Sequence, residues 1–246
     1  MRRTTPNCSF VAEEQRRLLA SLGTLDPALV AGVLREFVRP ERAARLRAVL
    51  AARLDCVTVV MDAPHDPHNG AAVIRSCDAF GVQRLHVVER LEGFLAANSV
   101  ARGSERWVDV RTYPHVTAAV AALAASGHEL VATHPDGDLL PGDLASIPRL
   151  GLVLGNERTG IVDHLRAACR HSVRIPMRGF AESLNVSVTA AILLQHATAS
   201  RPGDLSERDR ELLYARALVL TVPHAREILE AKGIRVEIPV GLSAGP

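Results

Sequence analysis

Residues 175–188 read Ile-Pro-Met-Arg-Gly-Phe-Ala-Glu-Ser-Leu-Asn-Val-Ser-Val, and this stretch guides the interpretation of the whole chain. A short apolar run leads into a loop with proline and glycine, and the loop brings Ser183, Asn185 and Ser187 to the start of another apolar run. Small polar residues at a helix start are typical caps, because their oxygens accept free backbone N–H groups. Capping explains these residues singly, but it does not explain why the strand end, the glycine loop and the polar residues occur together.

The length and composition indicate a globular protein. The 246 residues leave room for one domain with an appendage or for two small domains. Hydrophobic residues make up 48% and charged residues 23%, which is a globular balance and not a disordered one. No apolar run approaches the ~18 residues of a membrane span, and the first residues lack the apolar core of a secretory signal. We therefore expect a cytoplasmic protein.

Neither a disulfide framework nor a metal centre is predicted. His65 and His68 lie in a proline-containing turn without an obvious third and fourth ligand. The cysteines are far apart in the sequence and form no C-x-x-C pair, so reduced thiols are expected. They are Cys8, Cys56, Cys77 and Cys169.

Positive charge is concentrated at the N-terminus. Residues 1–54 hold ten arginines and five acidic residues, a net charge of +5, whereas residues 55–246 have a net charge of −3. A basic segment on a near-neutral body is typical of a protein that clamps a phosphate backbone. On charge alone, a solvated helix face is an equally good interpretation.

The pattern of apolar residues predicts an α/β domain between two helical segments. Helices are expected over 12–22, 27–37 and 40–53, and a helical tail over 206–232 is followed by a short run at 235–240. Strands rich in β-branched residues alternate with helices in between, which favours a mainly parallel sheet. The strands are expected at 57–61, 85–88, 107–110, 130–133, 150–154 and 173–175, and the helices at 71–80, 116–126, 162–169 and 186–199.

The usual glycine fingerprints of nucleotide binding are absent from the sequence. No G-x-G-x-x-G follows the first strand, and no G-x-x-x-x-G-K-[ST] occurs anywhere. A Rossmann dinucleotide site, an ordinary Rossmann-type methyltransferase and a P-loop NTPase therefore lose support. A nucleotide-like cofactor would have to be held by something other than a glycine-rich first turn.

A first group of candidate residues follows the first strand, where residues 65–82 read His-Asp-Pro-His-Asn-Gly-Ala-Ala-Val-Ile-Arg-Ser-Cys-Asp-Ala-Phe-Gly-Val. Asn69 is a natural N-cap, and Ala72 and Arg75 follow along one side of the helix. The apolar neighbours of Arg75 predict a substantially buried helix, where an arginine needs an anionic partner. An ordinary surface arginine is the alternative.

A second group lies at residues 152–161, which read Leu-Val-Leu-Gly-Asn-Glu-Arg-Thr-Gly-Ile. Two glycines bracket Glu157 at the carboxyl end of a predicted strand, where open α/β sheets bind ligands. As a bare turn this pattern is common, and Glu157 would then be solvated.

These groups resemble, in order, the three motifs of the TrmH-like RNA ribose 2′-O-methyltransferases of the SPOUT superfamily, over residues 40–200. The resemblance implies a mainly parallel sheet flanked by helices, with a deep trefoil knot at its C-terminal end. It also implies a homodimer whose active site is completed across the interface, and S-adenosylmethionine held by backbone loops. The cofactor-binding residues implied are Thr133, Leu154, Gly155, Ile175, Met177 and Leu184.

The resemblance also implies how the reaction would proceed. Arg75 would be the central catalytic residue, either as a clamp on a substrate phosphate or, alternatively, as a deprotonated base. Asn69 and Asn185 would orient Arg75 and the ribose. Ser183 would support the cofactor or substrate, Glu157 would anchor the site electrostatically, and no metal is required.

The implied domains are a basic helical RNA-binding extension (1–54), a catalytic domain (55–200) and a helical tail (201–246). The short helical flanks resemble those of the family's tRNA enzymes, and this resemblance implies methylation of the D-loop guanosine, position 18 in tRNA numbering. Ribosomal RNA is the alternative substrate. A non-catalytic RNA-binding dimer and a metabolic α/β enzyme are the alternatives from other classes, and the latter would need a cofactor fingerprint that the chain lacks.

Overall fold

The computed structural model describes residues 8–89 and 103–238, and side chains from residue 13 onward. The described residues divide into two compact units: Leu54–Pro202 with residues 8–9, here the sheet unit, and residues 10–53 with 203–238, here the helical unit. Residues 10–53 thus belong to one unit with the segment that follows Pro202. The first seven residues of the predicted basic extension lie outside the described part.

A six-stranded, wholly parallel sheet forms the centre of the sheet unit, in the order β3-β2-β1-β5-β4-β6. β1 lies in the middle, with Val59 paired to Leu85 of β2 and to Leu152 of β5. The prediction of an α/β fold with a mainly parallel sheet is confirmed. The strands are β1 (Leu54–Asp62), β2 (Val82–Val88), β3 (Asp109–Tyr113), β4 (Glu129–Thr133), β5 (Leu150–Leu154) and β6 (His171–Val173).

Helices connect several of the strands, and further helices lie before β1 and after β6. Pro67–Ala79 (α4) packs against Val186–Thr198 (α7), and Val116–Ala125 (α5) packs against Asp163–Ala167 (α6). Two 3₁₀ turns, Ser104–Arg106 and Pro141–Ser146, precede β3 and β5. The α-helices are α1 (Cys8–Gly23), α2 (Pro27–Arg35), α3 (Pro40–Ala51), α4 (Pro67–Ala79), α5 (Val116–Ala125), α6 (Asp163–Ala167), α7 (Val186–Thr198), α8 (Glu207–Thr221) and α9 (Ala225–Ala231).

The central strands are buried on both faces. Val60 and Val153 belong to one apolar cluster with Leu123 of α5 and Leu165 of α6. Val59, which points to the opposite face, is also fully buried. Parallel sheets are stable only when helices cover both faces, so β1 and β5 consist of nearly continuous apolar residues.

The helical unit has its own core, built from both ends of the chain. Leu18 and Leu34 from the N-terminal helices pack in one cluster with Leu218 and Leu229 from the C-terminal helices. The guanidinium of Arg47 lies 4.1 Å from the centre of the Tyr214 ring and pairs with Glu211 at 3.2 Å. Each end therefore depends on the other for burial of its apolar face.

Several element bounds differ from those predicted. β3 starts at Asp109 and not at residue 107, because Trp107 closes the 3₁₀ turn by donating to the Ser104 carbonyl at 2.9 Å. β6 spans His171–Val173 and not residues 173–175 as predicted. The C-terminal helix is broken after Thr221, because Pro223 holds the preceding residue extended. Residues 235–238 form no regular structure, and 239–240 lie outside the described part.

Cys56, Cys77 and Cys169 form no disulfide among the described residues, and burial raises the pKa of Cys169 to about 11. Among the described helices, none alone is long and apolar enough to cross a membrane. The segments 13–23 and 27–35 reach that length only as a pair bent by 101°.

A buried histidine makes stability depend on pH. His86 of β2 stacks on Tyr113 of β3 and its Nδ1 lies 2.9 Å from the Tyr113 hydroxyl. Burial, together with the charges of Arg111, His128 and Arg84, lowers the pKa of His86 from 6.5 to about 3. The folded chain therefore keeps His86 neutral at pH values where the unfolded chain protonates it.

We predict that His86 stabilises the fold above pH 6.5, and that this contribution falls as the pH drops from 6.5 toward 3. In His86→Phe the loss of unfolding free energy between about pH 7.5 and about pH 5 should be smaller than in the parent chain. Urea denaturation at both pH values measures this, with exposed His115→Phe as the control. An equal loss in parent and His86→Phe would contradict the prediction.

Candidate active site

A pocket of about 890 Å³ opens at the carboxyl edge of the sheet. The strands β5, β4 and β6 lie side by side, and all three end at this edge because they are parallel. Thr133 at the end of β4 and Val173 at the end of β6 both line the pocket. In open α/β sheets this edge is where ligands bind.

Most of the residues predicted to bind a cofactor line this pocket. Thr133, Gly155, Ile175, Met177 and Leu184 do so. Leu154 does not, because its side chain is fully buried within β5.

Of the predicted catalytic residues, Glu157, Ser183 and Asn185 also line the pocket, whereas Asn69 and Arg75 do not. The pocket includes several residues that the sequence did not single out. Those with polar side chains are His134, Asn156, Arg174, Glu182 and Thr189.

A tight turn after β5 forms one wall. The backbones of Asn156 and Gly160 exchange two hydrogen bonds of 3.1 and 3.0 Å, and the Asn156 side chain accepts from Arg158 N and Thr159 N. Gly160 has a φ of +66°, which glycine adopts easily. A Cβ on Gly155 would lie 2.6 Å from the carbonyl carbon of Gly160. Both glycines are therefore required by the shape of the turn.

The buried carboxylate of Asp62 secures the end of this turn. Asp62 ends β1 and is 1% exposed, and its Oδ2 accepts a hydrogen bond of 2.7 Å from Val162 N. The interaction ties the segment after Gly160 to the neighbouring strand. The sequence analysis did not identify Asp62, although an acidic residue at the end of an apolar strand is the signal that points to it.

The segment after β4 closes tightly on the end of β6. His134 N donates to the Val173 carbonyl at 3.0 Å, and the Arg174 side chain donates to the Gly137 carbonyl. A Cβ on Gly137 would lie 2.6 Å from the carbonyl carbon of Val173. The second pocket wall is thus made by direct backbone packing.

Asp138 holds the same segment through its carboxylate. Its Oδ1 accepts from Ser172 N at 2.7 Å, and its Oδ2 lies 2.6 Å from His171 Nδ1. The backbone N–H of Ser172 and the His171 ring lower the pKa of Asp138.

Two side-chain hydrogen bonds join the three sequence motifs. Asn185 Nδ2 donates to Asn69 Oδ1 at 3.0 Å, and Asn69 Nδ2 donates to Glu157 Oε1 at 2.6 Å. The bonds connect residues 116 and 88 positions apart. A carboxylate can only accept, so both amides are oriented by Glu157. This series, here the Asn185–Asn69–Glu157 chain, brings the predicted polar residues together at the pocket rim.

Asn185 and Asn69 have different positions on their helices. Asn185 is the N-cap of α7, and its Oδ1 accepts from Ser187 N at 2.8 Å, as the sequence predicts. The prediction that Asn69 caps α4 is wrong. Asp66 is the N-cap, accepting from His68 N at 2.8 Å, because Pro67 begins the helix. Asn69 lies in the first turn, which leaves its amide free for Asn185 and Glu157.

Arg75 lies on the exposed face of α4, so the prediction that it is buried against an anionic partner is wrong. The buried positions of the helix are taken by smaller and apolar residues such as Val73, Ile74 and Cys77. With the described residues Arg75 forms neither a side-chain hydrogen bond nor an ion pair, whereas Asn69 bonds to Glu157 and Asn185 bonds to Asn69. Its guanidinium is thus available to a molecule outside this chain.

Within the described ranges, no group of three or more His, Cys, Asp or Glu side chains is arranged to hold a metal ion.

Comparison with known proteins connects this site to a class of RNA-modifying enzymes. The crystal structure of the A. aeolicus TrmH/SpoU tRNA modifying enzyme matches 74% of this chain and 98% of that chain, with a TM-score of 0.65 and 29% identity. The SpoU methyltransferase AviRb from Streptomyces viridochromogenes, in complex with the cofactor AdoMet, matches 60% of this chain and 61% of its own, with a TM-score of 0.51 and 32% identity. The fold and the site thus define an α/β methyltransferase-like protein.

Sequence comparison gives the family. The tRNA (guanosine(18)-2′-O)-methyltransferase of Escherichia coli K12 is 37% identical over 165 residues, which cover 67% of this chain and 72% of the relative. The SpoU rRNA methylase family matches residues 56–195, and the chain belongs to this family. The resemblance inferred from the three motifs is confirmed.

The close approach of Gly155 and Gly160 leads to a prediction. Gly155→Ala should lower the free energy of unfolding by about 1–3 kcal/mol, because the added methyl meets backbone that cannot move away cheaply. Urea denaturation measures the change. Gly179→Ala is the matched control, since nothing lies within 4 Å of a Cβ there. Equal stability of the two variants would show that the turn is looser than described.

Proposed function

We propose that this protein transfers a methyl group from S-adenosylmethionine to a ribose 2′-hydroxyl of tRNA, at guanosine 18. The observation that carries the proposal is the Asn185–Asn69–Glu157 chain, which joins all three motifs at the rim of the pocket. The names of the E. coli relative and the A. aeolicus structure support tRNA as the substrate.

The pocket fits the cofactor in volume and in lining. Gly155 and Gly160 leave backbone uncovered on one wall, and Ile161, Ile175 and Leu184 provide apolar surface for an adenine ring. When bound, the cofactor supplies an activated methyl group on a sulfonium. The residues that would hold it are Thr133, Gly155, Ile175, Met177 and Leu184, with Ser183 beside them.

The chain's own residues would prepare the ribose hydroxyl. The planar guanidinium of Arg75 acts as a bidentate clamp on a substrate phosphate and stabilises the negative charge that develops on the ribose oxygen. The phosphate or a water molecule takes the proton. Glu157 orients Asn69 and Asn185, which present their amides to the ribose and keep the nucleophile aligned with the methyl group. A deprotonated Arg75 is the second candidate for the base.

A trefoil knot and a homodimer complete the proposal. The knot is proposed from the family to which the chain belongs. After α7, Arg201 donates to the carbonyls of Ile147 and Pro148 at 2.5 and 2.9 Å, which holds the end of this helix to the segment before β5. Exposed apolar side chains in the segment that carries the third motif, at Met177, Phe180 and Val188, support a homodimer, since apolar surface of this kind is covered in interfaces.

The remaining proposals concern the N-terminal segment and the location. Residues 1–54, with their net charge of +5, bind RNA. Deleting them would remove Leu18, Leu22, Val30 and Leu34 from the core of the helical unit, so point variants of the full chain are the better test. A cytoplasmic location is part of the proposal, because the relatives that the chain matches are named as bacterial tRNA methyltransferases.

The function is tested by labelled-methyl transfer from S-adenosylmethionine to unmodified tRNA and ribosomal RNA transcripts, followed by identification of the nucleoside. The proposal expects 2′-O-methylguanosine at position 18 of tRNA. Label in ribosomal RNA alone would show that ribosomal RNA is the substrate and would leave the proposed reaction unchanged. Cofactor binding without label in either RNA would favour a non-catalytic RNA-binding dimer.

Arg75→Ala should lower kcat at least ~100-fold, because it removes the group that stabilises developing charge. The affinity for S-adenosylmethionine should stay unchanged, since Arg75 does not line the pocket. Single-turnover kinetics and calorimetric titration of the cofactor measure the two effects. Exposed Arg166→Ala serves as the control. Turnover at the parent rate would overturn the assignment of Arg75.

Phe180→Glu should convert a dimer into a monomer, because it replaces a fully exposed aromatic side chain with a charge. Phe180 is 109% exposed, and Met177 and Val188, three and eight positions away in the sequence, are 39% and 46% exposed. Light scattering after size exclusion gives the mass, with the parent expected at twice 26.4 kDa. Val49→Glu, at a site 44% exposed in the helical unit, is the control. A monomeric parent would contradict the dimer.

A further inference from the structure

An exposed aromatic residue lies between α2 and α3 of the helical unit. Phe37 is 55% exposed, whereas its neighbour Val38 packs against the apolar core. The chain has only five phenylalanines, and its aromatic residues make up 3% of the sequence. Phe37 thus offers a large aromatic surface that the core of this unit does not cover.

Phe37 forms part of a recess of about 740 Å³. This volume lies within the ~300–1,000 Å³ range of small-ligand pockets. The Phe37 recess is lined by Phe37, Val38, Arg39, Glu41, Arg42 and Thr221.

The two arginines of the recess are not paired with other described residues. With the described residues, the exposed side chains of Arg39 and Arg42 form neither a hydrogen bond nor an ion pair. Arg47 on the same helix differs, since it pairs with Glu211 and lies over Tyr214. Glu41 is the single carboxylate of the lining, so the two arginines leave the recess with a net charge of +1. The recess thus combines an aromatic face with excess positive charge.

We propose that the Phe37 recess binds an unpaired nucleotide of the RNA substrate, with the base stacked on Phe37 and the adjoining phosphates on Arg39 and Arg42. Unstacked bases bind aromatic rings, and arginine binds phosphate through two parallel hydrogen bonds. A second copy of the chain fits less well, because a two-fold contact would bring the same arginines together. This inference rests on the proposed function and adds a contact to it away from the catalytic residues.

The test measures binding of the full-length chain to an unmodified tRNA transcript, without cofactor, over a series of salt concentrations. Phe37→Ala should weaken binding about tenfold without changing the salt slope, because stacking releases no counterion. Arg42→Gln should lower the slope by about one. Phe37→Tyr should bind as the parent does. Leu29→Ala, at an apolar site of α2 that is 53% exposed and outside the recess, is the control.

The outcomes separate this inference from the proposed function. If the parent chain methylates tRNA but Phe37→Ala retains parent affinity, the recess is not a nucleotide site and the function stands. If no RNA is methylated but Phe37→Ala still weakens binding at an unchanged slope, the recess stands and the reaction falls. A change in oligomeric mass at parent affinity would make the recess a protein interface. Phe37→Leu, which keeps the apolar bulk without an aromatic face, repeats the test if Phe37→Ala unfolds.

Discussion

The hydrogen bond of 2.6 Å between Asn69 and Glu157 organises the rim of the site. Because the carboxylate has no proton to donate, it determines which way the Asn69 amide faces, and Asn69 then determines the orientation of Asn185. The same Asn185 caps α7 through Ser187 N. A single carboxylate thus connects the turn after β5, the first turn of α4 and the start of α7.

This arrangement depends on the parallel sheet. Asn69 follows β1, Glu157 follows β5 and Asn185 follows β6, and the three strands end at one edge. The pocket walls are made of backbone in close contact, at Gly155 with Gly160 and at Gly137 with Val173. Backbone packing of this kind accounts for a cofactor-sized pocket in a chain without a glycine-rich first turn.

The sequence predicted the parallel sheet, and five of the six residues proposed to bind the cofactor line one pocket. It did not predict that α1–α3 share a core with α8 and α9, since contacts between the two ends of a chain leave no local periodicity. It also misplaced Arg75. The apolar residues beside it are buried, but at 3.6 residues per turn the same helix presents Arg75 to solvent. The sequence also misassigned the N-cap of α4, because the helix begins at Pro67 and its N-cap is therefore Asp66.

The sequence by itself determined the order of strands and helices along the chain, the membership of the SpoU family and the residue types available for chemistry, because these follow from local pattern and motif. Only the tertiary structure decided which polar side chains meet. Asn69, Glu157 and Asn185 are joined because parallel strands bring distant segments to one edge. Arg75 has no partner among the described residues, because its position on α4 faces solvent. The same distinction holds for Phe37, whose exposure depends on a core assembled from both ends of the chain.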